Sequence, residues 1–188
     1  MTNLVKAVAF AQHLQAKTVQ AGNIAVDATA GKGYDTEFLA RMVGDQGKVF
    51  AFDIQQQALA WTAERLLEGG LEKRVELINA GHEQMLEHVN KPVQAVMFNL
   101  GYLPGGSHAV ITEPETTVRA VQSAIQLLTV GGLITIVVYP GHPGGQAEFE
   151  LLKDYTMQLP QKNFIAVHYQ IINQINNPPQ LFAIEKIA

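Results

Sequence analysis

The 188-residue sequence predicts an α/β fold, in which a seven-stranded, mostly parallel sheet carries helices on both faces. Three observations favour this fold. Short apolar runs rich in β-branched residues alternate with amphipathic helical patterns, which is typical of βαβ units. Glycine-rich or polar turns follow several of these runs at the strand ends where such sheets bind ligands. The last two apolar runs are joined by a short turn, so they must lie in opposite directions.

The elements are expected in the following order along the chain. A helix over about residues 3–20 packs ahead of the first strand, and a second helix, capped by Asp35 or Thr36, continues through Met42. Further helices are expected over residues 58–67, 112–128 and 146–157, with Thr112 and Glu115 forming a capping box for the second of these three. Strands are expected over residues 24–26, 49–53, 75–78, 93–98, 133–139, 164–172 and 181–187.

Composition limits the class of protein. With 47% hydrophobic and 16% charged residues, the chain fits one globular domain over residues 1–188. No cysteine is present, which excludes disulfides and cysteine metal sites and is compatible with the cytoplasm. The longest apolar runs are strand-sized, so no membrane association is expected. No metal site is expected either. The net charge of -4 argues against a broad nucleic-acid surface, but a small RNA footprint and a homodimer stay open.

The segment IAVDATAGKGYDT, residues 24–36, is the strongest functional feature. Asp27 ends an apolar run, and Gly31 and Gly33 allow a tight turn with no Cβ in the way of a ligand. The acids Asp27, Asp35 and Glu37 crowd the start of the next helix, where a pyrophosphate would need free N–H groups. Acids at that place favour a cationic ligand such as S-adenosylmethionine (SAM), which carries a sulfonium and an ammonium group.

A second acid supports this interpretation. Asp53 ends the second strand 20 residues after Gly33, where a carboxylate can accept both hydroxyls of a ribose. An NAD-binding dehydrogenase is disfavoured because Thr36 stands where the dinucleotide motif has its third small residue. The simplest alternative is a structural turn whose acids only cap a helix and face solvent.

Asn99 and Tyr102 form an N-x-x-Y motif at the end of the fourth strand. An Asn carbonyl can accept an amine N–H and aim the nitrogen lone pair, and a Tyr ring can pack on a substrate or a sulfonium. The motif resembles the N-P-P-Y or D-P-P-Y motif of amino-methyltransferases, although Leu100 and Gly101 replace the two prolines. The alternative is a turn in which Asn and Gly only supply left-handed conformations.

Five motifs in order, VDATAGKGYDT, AFDIQ, FNLGYLPGG, YPGHPGG and NNPPQLFAIEK, resemble the rRNA methylase family of class I SAM-dependent methyltransferases. Members of that family act on tRNA as 5-aminomethyl-2-thiouridine methyltransferases at the wobble position. Lys32 replaces an expected Asn of the family, and Ser107 replaces an expected acid. The resemblance implies a tRNA substrate bound through its anticodon region, substrate contacts by Asn99, Tyr102 and His142, and SAM contacts by Asp27, Gly31, Lys32, Gly33, Asp35, Thr36, Asp53, Gln55 and His82.

Two residue roles stay open at this level. His82 is as compatible with a structural place at a helix start as with a contact to adenine. His142, in the glycine-rich loop after the fifth strand, is the candidate to take the amine proton, because the unperturbed pKa of a histidine side chain, ~6.5, lies close to neutral pH. Water and Tyr102 are the alternatives. A small-molecule methyltransferase and a non-catalytic SAM sensor are the competing functions.

Overall fold

The computed structural model describes residues 4–101, 114–141 and 144–188, so the predictions that concern Tyr102, Ser107, Thr112 and His142 lie outside the described residues. The strands are β1 (Ile24–Asp27), β2 (Lys48–Phe52), β3 (Val75–Ile78), β4 (Val93–Asn99), β5 (Leu128–Val138), β6 (Phe164–Tyr169) and β7 (Gln180–Lys186). The helices are α1 (Ala7–Thr18), α2 (Tyr34–Val43), α3 (Gln56–Glu68), α4 (Met85–His88), α5 (Pro114–Leu127) and α6 (Gly145–Met157).

The seven strands form one sheet in the order β3-β2-β1-β4-β5-β7-β6. Neighbours among β1 to β5 pair in parallel, as in Val26 with Phe50 and Val96. β7 pairs antiparallel with both β5 and β6, so β6 runs in the same direction as β5 and ends at the same edge of the sheet. The predicted fold class is confirmed, with six strands in one direction and the last strand reversed.

Helices cover both faces of the central strands β1, β2, β4 and β5, which explains why these strands are apolar on both sides. On one face, side chains such as Val26, Phe98 and Ile136 pack against α5 and α6. On the other face, Ala25, Met97 and their neighbours pack against α1, α2 and α3. Because helices fill these faces, the place that remains for a ligand is the edge of the sheet at the carboxyl ends of β1, β2, β4 and β5.

The ends of several elements differ from the predicted ones. α1 begins at Ala7 and ends at Thr18, because Lys6 and Val19 are extended and the Val19 side chain is buried in the core. Leu4, expected on the apolar face of this helix, is 78% exposed. β5 begins at Leu128 rather than at residue 133, because Leu128 already pairs with Val93 before a register shift.

Within the described ranges, no helix is both long and apolar enough to cross a membrane.

Candidate active site

The loop that follows β1 is the centre of the site, because it is bonded to strands on both sides. The Ala28 N–H donates to Met97 O on β4, and the Ala30 N–H donates to Phe52 O on β2, both at 2.8 Å. Gly31 and Gly33 have φ angles of 55° and 79°, in the region that favours glycine. A Cβ on Gly33 would lie 3.0 Å from the Cα of Thr62, so α3 leaves no room for a side chain there.

Asp27 is buried at the floor of this loop. Its carboxylate accepts the Thr36 hydroxyl at 2.6 Å and the Thr29 N–H at 3.0 Å. Burial raises the pKa of Asp27 from 3.8 to about 7, and the neighbouring Asp35 carboxylate contributes to the rise. In the absence of a cation, Asp27 is therefore partly protonated at neutral pH.

Asp35 lies in the first turn of α2 and is also buried. The Gln12 side-chain amide on α1 donates to its carboxylate at 2.8 Å, and burial raises the pKa of Asp35. The prediction that Asp35 or Thr36 caps this helix is wrong. Gly33 is the N-cap residue and adopts a left-handed conformation, which moves Asp35 and Thr36 into the helix and directs their side chains to Gln12 and Asp27.

Asp53, one residue beyond β2, is held by two backbone groups. Its Oδ2 accepts the Gly31 N–H and its Oδ1 accepts the Gln55 N–H, each at 2.9 Å. The Asn79 side-chain amide donates to the carbonyls of Asp53 and Ile54 at 3.0 Å, which ties this turn to the end of β3. A carboxylate oxygen has more than one lone pair, so both oxygens keep an acceptor position for a ligand hydroxyl.

Lys32, in the loop, and Glu37, in the first turn of α2, both contact residues of α3. The Lys32 ammonium lies 5.5 Å from the centre of the Trp61 ring. The Lys32 backbone carbonyl accepts a hydrogen bond from the Arg65 side chain at 2.8 Å. Glu37 forms ion pairs with Arg41 at 2.7 Å and with Arg65 at 3.1 Å. The hydrogen bond from Arg41 lowers the pKa of Glu37, so its charge is balanced by arginines rather than offered to a ligand.

His82 begins a short 3-10 helix after β3 and is buried. Its Nδ1 lies 3.3 Å from Ala28 O, and its ring meets the edge of Phe98. Burial lowers the pKa of His82, so the neutral ring donates from Nδ1 and leaves Nε2 as an acceptor. The structural role at a helix start is therefore present.

Asn99, the last residue of β4, is held from two sides. Its backbone N–H donates to the Thr29 hydroxyl at 2.7 Å, and its Oδ1 accepts the Tyr139 hydroxyl at 2.8 Å. Burial raises the pKa of Tyr139, and the negative charge of Asp35 adds to this rise. The ends of β4 and β5 are thus joined to the loop after β1 in one hydrogen-bonded group.

The structure brings together nearly all of the predicted site residues that it describes. Hydrogen bonds connect Asp27, Gly31, Thr36, Asp53, Gln55, His82 and Asn99 through the loop after β1. Sequence reasoning missed Gln12, Thr29 and Tyr139. Tyr139 gave a usable signal, because a Tyr at the carboxyl end of a buried strand has a polar tip that needs a partner.

The donor set fits SAM better than a metal ion or a dinucleotide. Asp27 and Asp35 are two buried carboxyl groups with raised pKa values. A cationic ligand beside them would lower the free-energy cost of ionising them. Asp53 supplies the acceptor expected for a ribose. In the described part of the chain, no group of three His, Asp or Glu residues is placed to hold a metal ion.

Comparison with known proteins agrees with this geometry. Residues 49–185 match the family described as "Putative rRNA methylase". A crystal structure from Clostridium thermocellum with the same description is 44% identical, with a TM-score of 0.97, and covers 99% of this chain and 100% of its own. A Streptococcus mutans protein assigned as a methyltransferase and solved with SAH is 38% identical, with a TM-score of 0.90 and coverages of 98% and 99%.

A curated relative from Arabidopsis thaliana is named "tRNA (mnm(5)s(2)U34)-methyltransferase, chloroplastic". It is 39% identical over 191 residues, which cover 96% of this chain and 70% of that protein. The predicted family, SAM-dependent enzyme class and cofactor are confirmed by these matches. The chain therefore belongs to the rRNA methylase family of class I SAM-dependent methyltransferases.

Proposed function

We propose that this enzyme transfers the methyl group of SAM to the aminomethyl nitrogen of 5-aminomethyl-2-thiouridine at the wobble position of tRNA. The name of the Arabidopsis relative supports a tRNA wobble uridine as the substrate. The observation that carries the proposal is the position of Asn99. The Asn99 N–H donates to the Thr29 hydroxyl, in the same loop whose Gly31 N–H donates to Asp53. In this proposal, the side chain that accepts from the substrate amine therefore lies beside the residues that bind SAM.

The cofactor roles follow from the chemistry of each side chain. Asp53 accepts the two ribose hydroxyls with the lone pairs that Gly31 and Gln55 leave free. Asp27 and Asp35 ionise opposite the positive groups of the methionine part. The Nε2 of His82 accepts from the adenine amino group. Gly33 and Thr36 hold the loop in shape, and Lys32 contributes through its backbone, since its ammonium lies over Trp61.

The chain has two tasks at the reacting nitrogen. When bound, SAM supplies a methyl group whose bond to sulfur breaks, with the electron pair left on sulfur, as the amine nitrogen forms its new bond to carbon. An aminomethyl group is protonated at neutral pH, so a proton must first be removed. In this proposal Asn99 Oδ1 accepts an N–H and aims the lone pair, Tyr102 packs on the substrate, and His142 takes the proton.

The proposal also covers the context of the enzyme. It takes residues 1–188 as one catalytic domain that meets the anticodon region of tRNA through a small surface, as the net charge of -4 favours. Unpaired loop bases are the usual targets of sequence-specific RNA contacts, which suits a nucleotide in the anticodon loop. It places the enzyme in the cytoplasm, and a homodimer is one of the arrangements that it allows.

Mass spectrometry of nucleosides from cells that lack the protein tests the substrate. Loss of the 5-methylaminomethyl nucleoside from tRNA, with build-up of the 5-aminomethyl form, is expected. Wild-type protein should restore the methylated form, and the Asn99→Ala variant should restore much less. Unchanged tRNA nucleosides together with a lost methyl group in rRNA would redirect the proposal to rRNA.

A reaction with purified components separates RNA from small amines as substrates. The enzyme, SAM and tRNA from the deletion strain should give the methylated nucleoside, whereas the free nucleoside should react far more slowly. The acidic chain is the observation that favours a small-molecule amine as the second candidate. Equal reactivity of tRNA and free nucleoside would support that candidate.

A further inference from the structure

Tyr139 and Asn99 meet across the gap between two neighbouring strands. Asn99 pairs with Val137 in the sheet, and Tyr139 follows two residues later at the same edge. Its hydroxyl donates to Asn99 Oδ1 at 2.8 Å. The two residues lie 40 positions apart in the chain. No local feature of the sequence therefore imposes this contact.

In the structure the Tyr139 hydroxyl meets the oxygen side of the Asn99 amide. An amide group has an acceptor oxygen on one side and a donor nitrogen on the other, and a rotation of its terminal bond exchanges them. With the oxygen held by a Tyr hydroxyl, one of its lone pairs is used and the second keeps a fixed direction. Without that donor, the amide can turn its NH2 group to the substrate amine, which would repel an amine N–H.

The backbone of Asn99 is held independently of Tyr139. Its N–H bonds to the Thr29 hydroxyl at 2.7 Å, and Leu100 N–H bonds to Val137 O at 2.9 Å. Removing the Tyr139 hydroxyl should therefore free the side-chain amide and leave the strand end in place. The raised pKa of Tyr139 keeps its phenol protonated at neutral pH, so it stays a donor over the working range.

We propose that Tyr139 is a positioning residue for methyl transfer: its hydroxyl locks the Asn99 amide so that Oδ1 faces the substrate amine. This inference rests on the proposed function for its catalytic meaning. Tyr139 itself touches Asn99 and takes no part in bond making. The orientation of the amide, in contrast, is a property of the protein alone and can be measured without substrate.

The first test uses Tyr139→Phe, which removes one oxygen atom and keeps the ring. Single-turnover methylation of tRNA should slow by roughly tenfold, with SAM affinity by calorimetry and the KM for tRNA within about twofold. Tyr169→Phe is the matched control, because it removes a hydroxyl that donates to Val5 O at 2.9 Å on another part of the fold. An unchanged rate, or equal losses in both variants, would overturn the inference.

A double-mutant cycle tests whether Tyr139 acts through Asn99. If it does, adding Tyr139→Phe to the Asn99→Ala variant should lower the single-turnover rate by less than about twofold. A further tenfold loss in that background would mean that Tyr139 acts elsewhere. Asn99→Asp keeps an acceptor for the Tyr139 hydroxyl and should retain more activity than Asn99→Ala; equal activity of the two variants would count against the inference.

NMR provides a readout that needs no turnover. In the 20.5 kDa protein, the side-chain NH2 signals of Asn99 can be assigned by their loss in Asn99→Ala. They should shift and exchange faster in Tyr139→Phe but stay in place in Tyr169→Phe. Unmoved signals would overturn the inference. If the wild-type enzyme methylates no tRNA, the proposed function fails, and this measurement alone then decides the role of Tyr139.

Discussion

The two halves of the proposed site, a cofactor half and an acceptor half, are built in different ways. In the cofactor half, the loop after β1 and the turn after β2, backbone groups hold the Asp53 carboxylate: it accepts the N–H groups of Gly31 and Gln55. Asp27 also accepts a backbone N–H, that of Thr29, beside the Thr36 hydroxyl. In the acceptor half, the ends of β4 and β5, the side-chain oxygen of Asn99 accepts a hydrogen bond from another side chain, the Tyr139 hydroxyl.

This difference has a consequence for mutation. A backbone N–H cannot be removed by most substitutions, so the position of Asp53 should tolerate changes in the residues that donate to it. A side-chain donor is lost with a single atom, so the acceptor half depends on a few individual residues. We therefore expect the acceptor half to control the rate of methyl transfer and the cofactor half to control affinity.

Asn99→Ala should give the largest effect on rate. The single-turnover rate is expected to fall roughly a hundredfold, because the amine loses the acceptor that aims it, while SAM affinity stays within a few-fold. Rapid-quench assays and calorimetry measure the two quantities. A large loss of SAM affinity would show that the two halves are not separable.

His142→Ala tests the proton step in the acceptor half. The rate at pH 7 should fall roughly ten- to a hundredfold, and much of it should return at pH 9, where more of the amine is already neutral. The pH profile of the single-turnover rate provides the measurement. Equal losses at both pH values would assign His142 to positioning, and no loss at either would remove it from the site.

Asp53→Ala should act on affinity and little on rate at saturating SAM. Losing a charged acceptor for two hydroxyls should weaken SAM binding by about 1 to 3 kcal/mol. Calorimetry with SAM measures this change, and NAD is the control ligand, for which no binding is expected. Binding of NAD without SAM would contradict the cofactor assignment.

Gly33→Ala examines the shape of the loop after β1. We expect it to lower the free energy of unfolding by about 2 kcal/mol, because alanine is strained at a φ of 79° and its Cβ would meet Thr62 at 3.0 Å. Gly22→Ala is the control, since Gly22 has a φ of 88° but no atom within 4 Å of a Cβ. Urea unfolding measures both variants. Equal losses would mean that the contact with α3 adds nothing.

The pH dependence that Asp27 gives to folding and to SAM binding should be the smallest effect. Asp27 has a pKa raised from 3.8 to about 7, so the unliganded fold binds this proton more tightly than the unfolded chain does. Asp27 therefore favours folding most below about pH 4, and this contribution is lost as the pH rises to about 7.

SAM binding has the opposite dependence, because a cation needs the ionised carboxyl group. Affinity should rise by about fivefold between pH 6 and pH 7, as the ionised fraction of Asp27 rises, and Asp27→Asn should reduce this rise. Calorimetry at the two pH values and thermal melts without SAM measure both trends. An apo melting temperature that increases over pH 4 to 7 through Asp27 would contradict the raised pKa.

The sequence alone determined the class of fold and predicted the residues of the cofactor half. Hydrophobic periodicity states which faces of each element are buried, and the short turn between the last two strands fixes their opposite directions. Asp27 and Asp53 were predicted for the same reason: they lie at the ends of β1 and β2, where their carboxylates accept backbone N–H groups of the turns that follow.

The tertiary structure alone decided the strand order and the partners of individual side chains. Insertion of β7 between β5 and β6, the bond of Gln12 to Asp35 and the bond of Tyr139 to Asn99 all join residues far apart in the chain. The raised pKa of Asp27 also depends on how deeply the packed helices bury it. Local patterns encode burial, but a contact between distant side chains exists only once strand order and register place them at hydrogen-bonding distance.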